Sequence, residues 1–427
     1  MKLLVVSWGD FNRWKEIRYR FGDETSVGPS TLPILQKAIN PDWTVVVLSD
    51  TIGKDFSSLE ALRDDVKTRV TEFLDRIGAG REVDTIIAPG IGEFRHGRFT
   101  GNAMDAYHYI LHRLAEVIPA NEPLEVHFDS THGLNYITLL AYRALKELIG
   151  IAALSNNVHF SAYNSDPFVP KVSRELTLHK IENTWVTPSP LSEPLPSSAK
   201  DYVGRFSMPG REYGQVLKDL KRLKELRTKA GKLNSWVASV LNGLPLVFAS
   251  SFPDETELNE SVEEIVRVYE EKVAVSPTTV ERRLFLGEGF GRLVKLTFQA
   301  RVLNREGLPK EELSVEELKD LSEEVFRGRV LASTKTELDR IAKSVREDTS
   351  GWIQYSELLR RRGKNPNPQV DDRNFLAHAG LEANLIEVKR EGELYIRYTK
   401  GNVRYGGEMK HPWKVIEKIL KNTLRGD

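Results

Sequence analysis

The 427-residue chain contains no cysteine. That excludes disulfides, thiolate nucleophiles and every cysteine-based zinc site. It has no net charge either: 61 basic residues balance 61 acidic ones. No global field therefore draws it to nucleic acid, and any such role must rest on a local basic site. Apolar runs of about 18 residues, the length of a membrane span, are also missing. The opening Met1-Lys2-Leu3-Leu4-Val5-Val6-Ser7 is too short for a signal peptide and reads as a first strand. These absences predict a cytoplasmic protein without a membrane partner. What the chain does have is charge of both signs, 29% of all residues. Much of it lies in long Lys/Glu/Arg-rich helical stretches, a composition consistent with a thermophilic source. The length exceeds one simple core and implies two or three domains.

The first part of the chain alternates short apolar runs with amphipathic ones, the α/β pattern. Strands are expected at Leu3–Ser7, Thr44–Leu48, Thr85–Ala88, Leu124–Phe128, Val158–Tyr163 and Glu175–Lys180. Several are apolar almost throughout, as parallel strands buried on both faces are. Helices are expected at Leu59–Ile77, Ala103–Val117 and Tyr136–Leu148. A Pro/Ser-rich stretch from Thr187 to Ser198 has the composition of a linker. Beyond it the spacing predicts helices over Val216–Lys229, Ala238–Ala249, Asn259–Val273, Val280–Leu303, Leu313–Phe326, Thr334–Arg346 and Trp352–Arg361. Leu385–Lys389 and Leu394–Tyr398 flank Glu391-Gly392 and read as a β-hairpin. The expected organisation is a Rossmann-like α/β domain at 1–186 and a linker with helical connecting region at 187–255. A mainly α-helical domain with a small β-hairpin follows at 256–427.

Arg373-Asn374-Phe375-Leu376-Ala377-His378 places a permanent cation, an amide and an imidazole within one turn and a half. An imidazole moves protons near neutral pH, and a guanidinium holds a phosphate and the charge that builds on it. Together they suit cleavage of RNA by its own 2′-hydroxyl. Asp371-Asp372 just before them reads as an acidic helix start. On a helix the two side chains lie about 140° apart, at roughly 3.6 residues per turn. The alternative is a surface arginine and a partly buried histidine. A second match, Arg174 to His179, falls in a stretch of β-like period and reads as accidental. The basic run Arg360-Arg361-Arg362-Gly363-Lys364 is either a local nucleic-acid contact or a solvated helix end.

In open parallel sheets, ligands bind at loops off the carboxyl ends of strands. Two such loops stand out: Ser7-Trp8-Gly9-Asp10, and Asp129-Ser130-Thr131-His132-Gly133-Leu134-Asn135. Hydroxyls, glycine and amides at a helix start suit oxyanions. An ordinary capped helix start is the alternative. A third loop, Pro89 to Arg98, adds glycines and arginines. Neither a Walker A motif nor a dinucleotide fingerprint is present. His127, His132 and Asp129 lack a third nitrogen ligand, so no metal is expected there.

Asp-Ser-Thr-His-Gly-Leu-Asn in front and Arg-Asn-Phe-Leu-Ala-His-Ala-Gly behind, in this order, resemble the CRISPR-associated accessory ribonucleases of type III systems. In that family a CARF sensor domain is fused to a HEPN nuclease domain. The resemblance implies a sensor that binds cyclic oligoadenylate as allosteric activator, and a nuclease that cleaves single-stranded RNA without metal or cofactor. By position, Arg373 and His378 match the catalytic pair and Asn374 the accompanying polar residue. Ser7, Trp8, Gly9 and Asp10, with Ser130, Thr131, His132, Gly133 and Asn135, match the two sensor loops. A homodimer is implied as well, since two motif helices meeting across a two-fold axis would double a thin site. Weak binding of DNA or double-stranded nucleic acid is a secondary expectation. Two further readings stay open: a transcription regulator of CRISPR genes without nuclease activity, using the basic helix around Val216–Lys229, and a sensor that also degrades its ligand.

Overall fold

The computed structural model describes residues 1–424 apart from Arg81, Leu134 and Ser350, and of Asn135 the backbone alone. In chain order the first elements are β1 (Lys2–Ser7), β2 (Ile17–Phe21), β3 (Glu24–Gly28), α1 (Leu32–Ile39), β4 (Trp43–Ser49), α2 (Leu59–Arg76), β5 (Val83–Ala88), β6 (Gly92–Phe94), β7 (Gly97–Thr100), α3 (Met104–Val117), β8 (Leu124–Asp129), α4 (Asn135–Ala152), β9 (Val158–Ser165) and β10 (Glu175–Trp185). All six expected strands are among them. Each apolar run forms a strand because both its faces are covered, and β1 is buried from Leu3 to Ser7. The helices cover those faces with apolar stripes. Ile137, Ala141, Ala144, Leu145 and Leu148 of α4 are all fully buried.

Eight strands make one sheet in the order β3-β2-β10-β9-β8-β1-β4-β5. From β9 to β5 all neighbours are parallel. The chain builds outward from β1 through β4 to β5, then returns to place β8 on the other side of β1. That reversal makes the carboxyl ends of β1 and β8 the place where loops diverge and a crevice opens. The β2–β3 hairpin was not expected. Its inner strand alternates buried Ile17 and Tyr19 with exposed Arg18 and Arg20, so the apolar signal is half as dense.

The later elements are β11 (Val203–Arg205), α5 (Gly210–Asp219), α6 (Lys221–Thr228), α7 (Ala230–Asn242), α8 (Pro245–Ser250), α9 (Glu255–Glu271), β12 (Val273–Ser276), β13 (Thr279–Arg282), β14 (Leu284–Leu286), α10 (Glu288–Leu303), β15 (Leu313–Ser314), α11 (Val315–Val325), α12 (Gly328–Ser344), β16 (Ile353–Gln354), α13 (Tyr355–Arg361), α14 (Asp372–Ala377), β17 (Ile386–Glu391), β18 (Glu393–Tyr398), β19 (Val403–Tyr405), β20 (Glu408–Lys410) and α15 (Pro412–Lys421). Five expected helices differ: Leu313–Phe326 and Trp352–Arg361 each begin with a two-residue strand, β15 and β16, before turning helical, and three others depart further. Val280–Leu303 begins as β13 and β14 and becomes helix only after Gly287, where a Cβ would meet the Asp201 carbonyl oxygen at 2.1 Å. Ala238–Ala249 breaks at Gly243 (φ +66), and Pro245 starts a new helix. Val216–Lys229 is two helices, because the Glu264 carboxylate accepts from the amides of Lys221, Arg222 and Leu223 and starts α6 afresh.

The chain divides into two compact units that are discontinuous in sequence. The first gathers Met1–Ser189, Ser198–Leu223 and Glu260–Phe298. Besides the large sheet it holds a four-stranded sheet, β12-β13-β7-β6, in which β13 pairs in parallel with β7. The second gathers Pro190–Ser197, Lys224–Asn259 and Gln299–Asp427. Its helices pack with a four-stranded sheet ordered β15-β18-β17-β16, built around the expected hairpin.

Candidate functional site

In the first unit the two loops singled out from the sequence meet. The Gly9 amide donates to the His132 carbonyl at 2.8 Å, and the hydroxyls of Ser7 and Thr138 lie 3.0 Å apart. Most side chains of these loops bond within the fold. Ser7 is fully buried. Ser130 donates to the Tyr163 carbonyl at 3.0 Å, and Thr131 donates its hydroxyl to Asp129 at 2.6 Å. Gly133 has no room for a side chain, since a Cβ there would meet the Thr138 hydroxyl at 1.6 Å. Asn135 opens α4, and its side chain lies outside the described residues, as does Leu134. Trp8 is 1% exposed and stacks edge-on against Trp14 and Phe73. Its indole N–H finds no acceptor among the described residues.

A cavity of about 380 Å³ opens over these strand ends, lined by Trp8, Gly9, Asp10, Arg13, Lys54 and Arg95 among others. Asp10 caps the short turn that follows β1 and pairs with Arg13 at 3.0 Å. The β6–β7 hairpin closes one side, where the His96 ring meets the Thr51 carbonyl at 2.9 Å. The remaining loop amide, of Ile91, donates to the Tyr136 hydroxyl at 3.0 Å. His132 faces a second cavity of about 520 Å³ with Trp14, Tyr19 and Thr131. Its ring stacks on Trp14 at 4.2 Å, and its Nε2 lies 3.2 Å from the Tyr19 hydroxyl. Burial holds the His132 imidazole below its ordinary basicity. Cations and backbone amides around a recess at strand ends can hold an anionic ligand. Arg13 and Lys54 were missed in the sequence, where they are ordinary charged residues of loops; only the fold turns them to the recess.

In the second unit the motif forms α14. Asp371 is its N-cap and accepts from the Asn374 amide at 2.9 Å, as the acidic start predicted. Phe375 is fully buried and anchors the helix. The helix is short. Gly380 donates back to the Phe375 carbonyl at 2.8 Å and Ala379 to Leu376 at 3.4 Å, a Schellman ending. The left-handed position of that ending falls on Ala379 (φ +52), a strain of about 1 kcal/mol that glycine would not carry. His378 is therefore the C-cap, just past the last helical residue. Arg373 is exposed and makes no ion pair among the described residues, and the Asn374 side chain is half-buried.

His378 Nδ1 lies 3.1 Å from Oε2 of Glu337 on α12. Glu337 is 6% exposed, and its other oxygen accepts from Arg340 Nε at 3.0 Å. An ionised carboxylate only accepts, so the proton sits on Nδ1 and Nε2 is the nitrogen that can accept. Glu337 lies 41 residues before His378. Nothing in its local sequence separates it from the neighbouring charged residues of a surface helix.

The other histidine readings resolve locally. His179 lies in β10 and bonds Asp166 at 2.8 Å, so the Arg174–His179 match is a strand, as expected. His127 Nδ1 bonds the Tyr163 hydroxyl at 2.8 Å, and burial lowers its pKa to about 4. Arg361 ends α13 and pairs with Glu357 one turn back.

With this geometry in place, comparison with known proteins is specific. The model of the CARF domain of the CRISPR system endoribonuclease Csx1 matches residues 3–167. The model of the HEPN domain of the same endoribonuclease matches residues 332–400, which contain Glu337, Arg373 and His378. The CRISPR system endoribonuclease Csx1 of Methanocaldococcus jannaschii is 29% identical over 407 residues, covering 91% of this chain and 86% of that protein.

Proposed function

Because the chain belongs to the Csx1 family of CRISPR-associated proteins, with a CARF domain ahead of a HEPN domain, we propose that it is a metal-independent endoribonuclease of type III CRISPR antiviral defence. It cleaves single-stranded RNA when cyclic oligoadenylate binds its CARF domain. The observation that carries the reading is His378, tied at Nδ1 to buried Glu337 and free to exchange a proton at Nε2.

The chemistry balances with the substrate's own groups. The ribose 2′-hydroxyl gives its proton to a base and attacks the adjacent phosphorus. The bond from phosphorus to the 5′-oxygen breaks, and that oxygen takes up a proton. The products are a 2′,3′-cyclic phosphate and a 5′-hydroxyl. His378 moves the proton, and Arg373 and Asn374 hold the non-bridging oxygens as charge grows on them. A homodimer supplies a second imidazole, so one His378 takes the proton while the other gives one. The carboxylates beside the motif are already engaged: Asp371 by the helix start, Glu337 by His378 and Arg340, and Asp372 by Tyr405.

On the sensor side, the recess at the ends of β1 and β8 takes the activator through Gly9 and Asp10, with Arg13, Lys54 and Arg95 toward its phosphates and the Ser130–Gly133 loop beside it. Binding favours the active nuclease only through different affinity for its two states.

The test is cleavage of single-stranded RNA in excess EDTA, with and without cyclic oligoadenylates of several ring sizes. Activated cleavage in EDTA, ending in cyclic phosphate, is the expected result, with DNA and 2′-deoxy-substituted RNA left whole. Products with a 5′-phosphate formed only with Mg²⁺ would replace this mechanism by a water nucleophile. Activator binding without any cleavage would favour the regulator reading.

A further inference from the structure

His112 and Glu116 stand one turn apart on the same face of α3, and Glu263 of α9 comes to them from across the first unit. His112 Nε2 lies 3.9 Å from Glu116 Oε1 and 3.7 Å from Glu263 Oε1. These separations are too long for hydrogen bonds. The imidazole is nonetheless 95% buried, at 5% exposure. Its ring is steadied edge-on by Phe290 at a centroid distance of 6.2 Å. A buried imidazole thus faces two carboxylates across gaps wider than a hydrogen bond.

We propose that His112, Glu116 and Glu263 bind one divalent transition-metal ion of the zinc class, joining α3 to α9. The three ligand atoms lie within 4.8 Å of one another. Metal–ligand bonds of about 2.0–2.2 Å at tetrahedral angles place ligand atoms roughly 3.4 Å apart. The two glutamate side chains are more than one-third exposed, so each can close the small remaining gap without disturbing the core. Glu116 keeps its other oxygen on Arg113, so that ion pair survives. Imidazole with carboxylates suits zinc, whereas calcium takes six to eight oxygens. Three protein ligands leave a fourth position to water on the exposed side.

The cluster belongs to the first unit and shares no residue with the nuclease motif, so the two can be tested separately.

Tag-free full-length protein, stripped with chelator and dialysed, should bind one equivalent of Co²⁺ per chain with the visible spectrum of a tetrahedral site. Zn²⁺ should displace it and raise the thermal midpoint. Glu263→Gln, at an exposed position that should not disturb folding, should weaken Zn²⁺ binding about tenfold or more, and His112→Gln should abolish the cobalt spectrum. If the stripped chain takes up no Co²⁺ or Zn²⁺, or if Glu263→Gln and Glu116→Gln each bind a full equivalent as tightly as the parent, the site does not exist.

Discussion

The loops at the ends of β1 and β8 and the helix α14 were both picked out by their polar side chains, yet they use them in opposite ways. At the strand ends, Ser7, Ser130 and Thr131 commit their hydroxyls to Thr138, Tyr163 and Asp129, and Trp8 is packed among aromatic rings. What remains toward the recess is mostly backbone and a few flexible cations. At α14, Arg373 stands in solvent and His378 is held at a single nitrogen. A surface that must recognise a whole ligand can be shaped by groups whose own bonds are satisfied. A surface that must transfer a proton needs a group with a valence to spare. The first should therefore tolerate single changes with graded losses, and the second should not.

The largest expected effect is His378→Ala, which should lower activated RNA cleavage by about 10²–10⁴ while activator binding is unchanged. Single-turnover cleavage beside a binding titration measures both, and a mutant that turns over like the parent removes His378 from the chemistry. Glu337→Gln comes next. It keeps the shape but weakens the hold on Nδ1, and should slow the cleavage step by about 10–100-fold without changing RNA affinity. A loss in affinity alone would make Glu337 a binding residue and blur the contrast. Thr131→Ala removes the hydroxyl that ties the loop to Asp129 and should raise the activator concentration for half-maximal cleavage by about tenfold, the size of one lost loop hydrogen bond of roughly 1.4 kcal/mol, with the maximal rate intact. A hundredfold fall in maximal rate instead would mean that the strand-end loops act as sharply as the motif.

The smallest effect concerns stability. Burial lifts the Glu382 carboxyl from 4.5 to about 7. A raised acid pKa means the folded state holds the proton longer than the unfolded chain. Its contribution is complete below about pH 4.5 and is lost as pH rises through about 7. Glu382→Gln should therefore flatten the fall in thermal midpoint between about pH 5 and about pH 8, by an amount on the order of 1–2 kcal/mol. Asp105 of the first unit is lifted to about 7 by burial too. If the slope of the Glu382 variant matches the parent, that carboxylate alone accounts for it.

The parallel core was legible because strands buried on both faces carry near-continuous apolar runs, as Leu3–Val6 of β1 and Val45–Leu48 of β4 do. The β2–β3 hairpin was not, since a strand with one face solvated, with Arg18 and Arg20 outward, carries half the signal. The breaks at Gly243 and Gly287 were written in glycine but needed the neighbours, Pro245 in one case and the Asp201 carbonyl in the other, to be decisive. Of the α14 site, Arg373, Asn374, His378 and the Asp371 cap share one short segment and were readable together. Glu337 was not, because a partner 41 residues away is defined by packing and leaves no local pattern. The same holds for Glu263 opposite His112.

The discontinuity of the two units bears on how such a protein can be recombined. Residues 260–298 return to the first unit to supply β13, which pairs with β7, and Arg282, which meets Asp50 at full burial and donates to the Gly90 carbonyl at 2.7 Å. A CARF segment excised as residues 1–189 would leave Asp50 a buried anion without its cation, a loss of about 3–5 kcal/mol, and β7 with an open edge. Swapping CARF segments between relatives at a single crossover should thus yield insoluble chimeras. A graft that carries both returning segments along with the first 189 residues should fold.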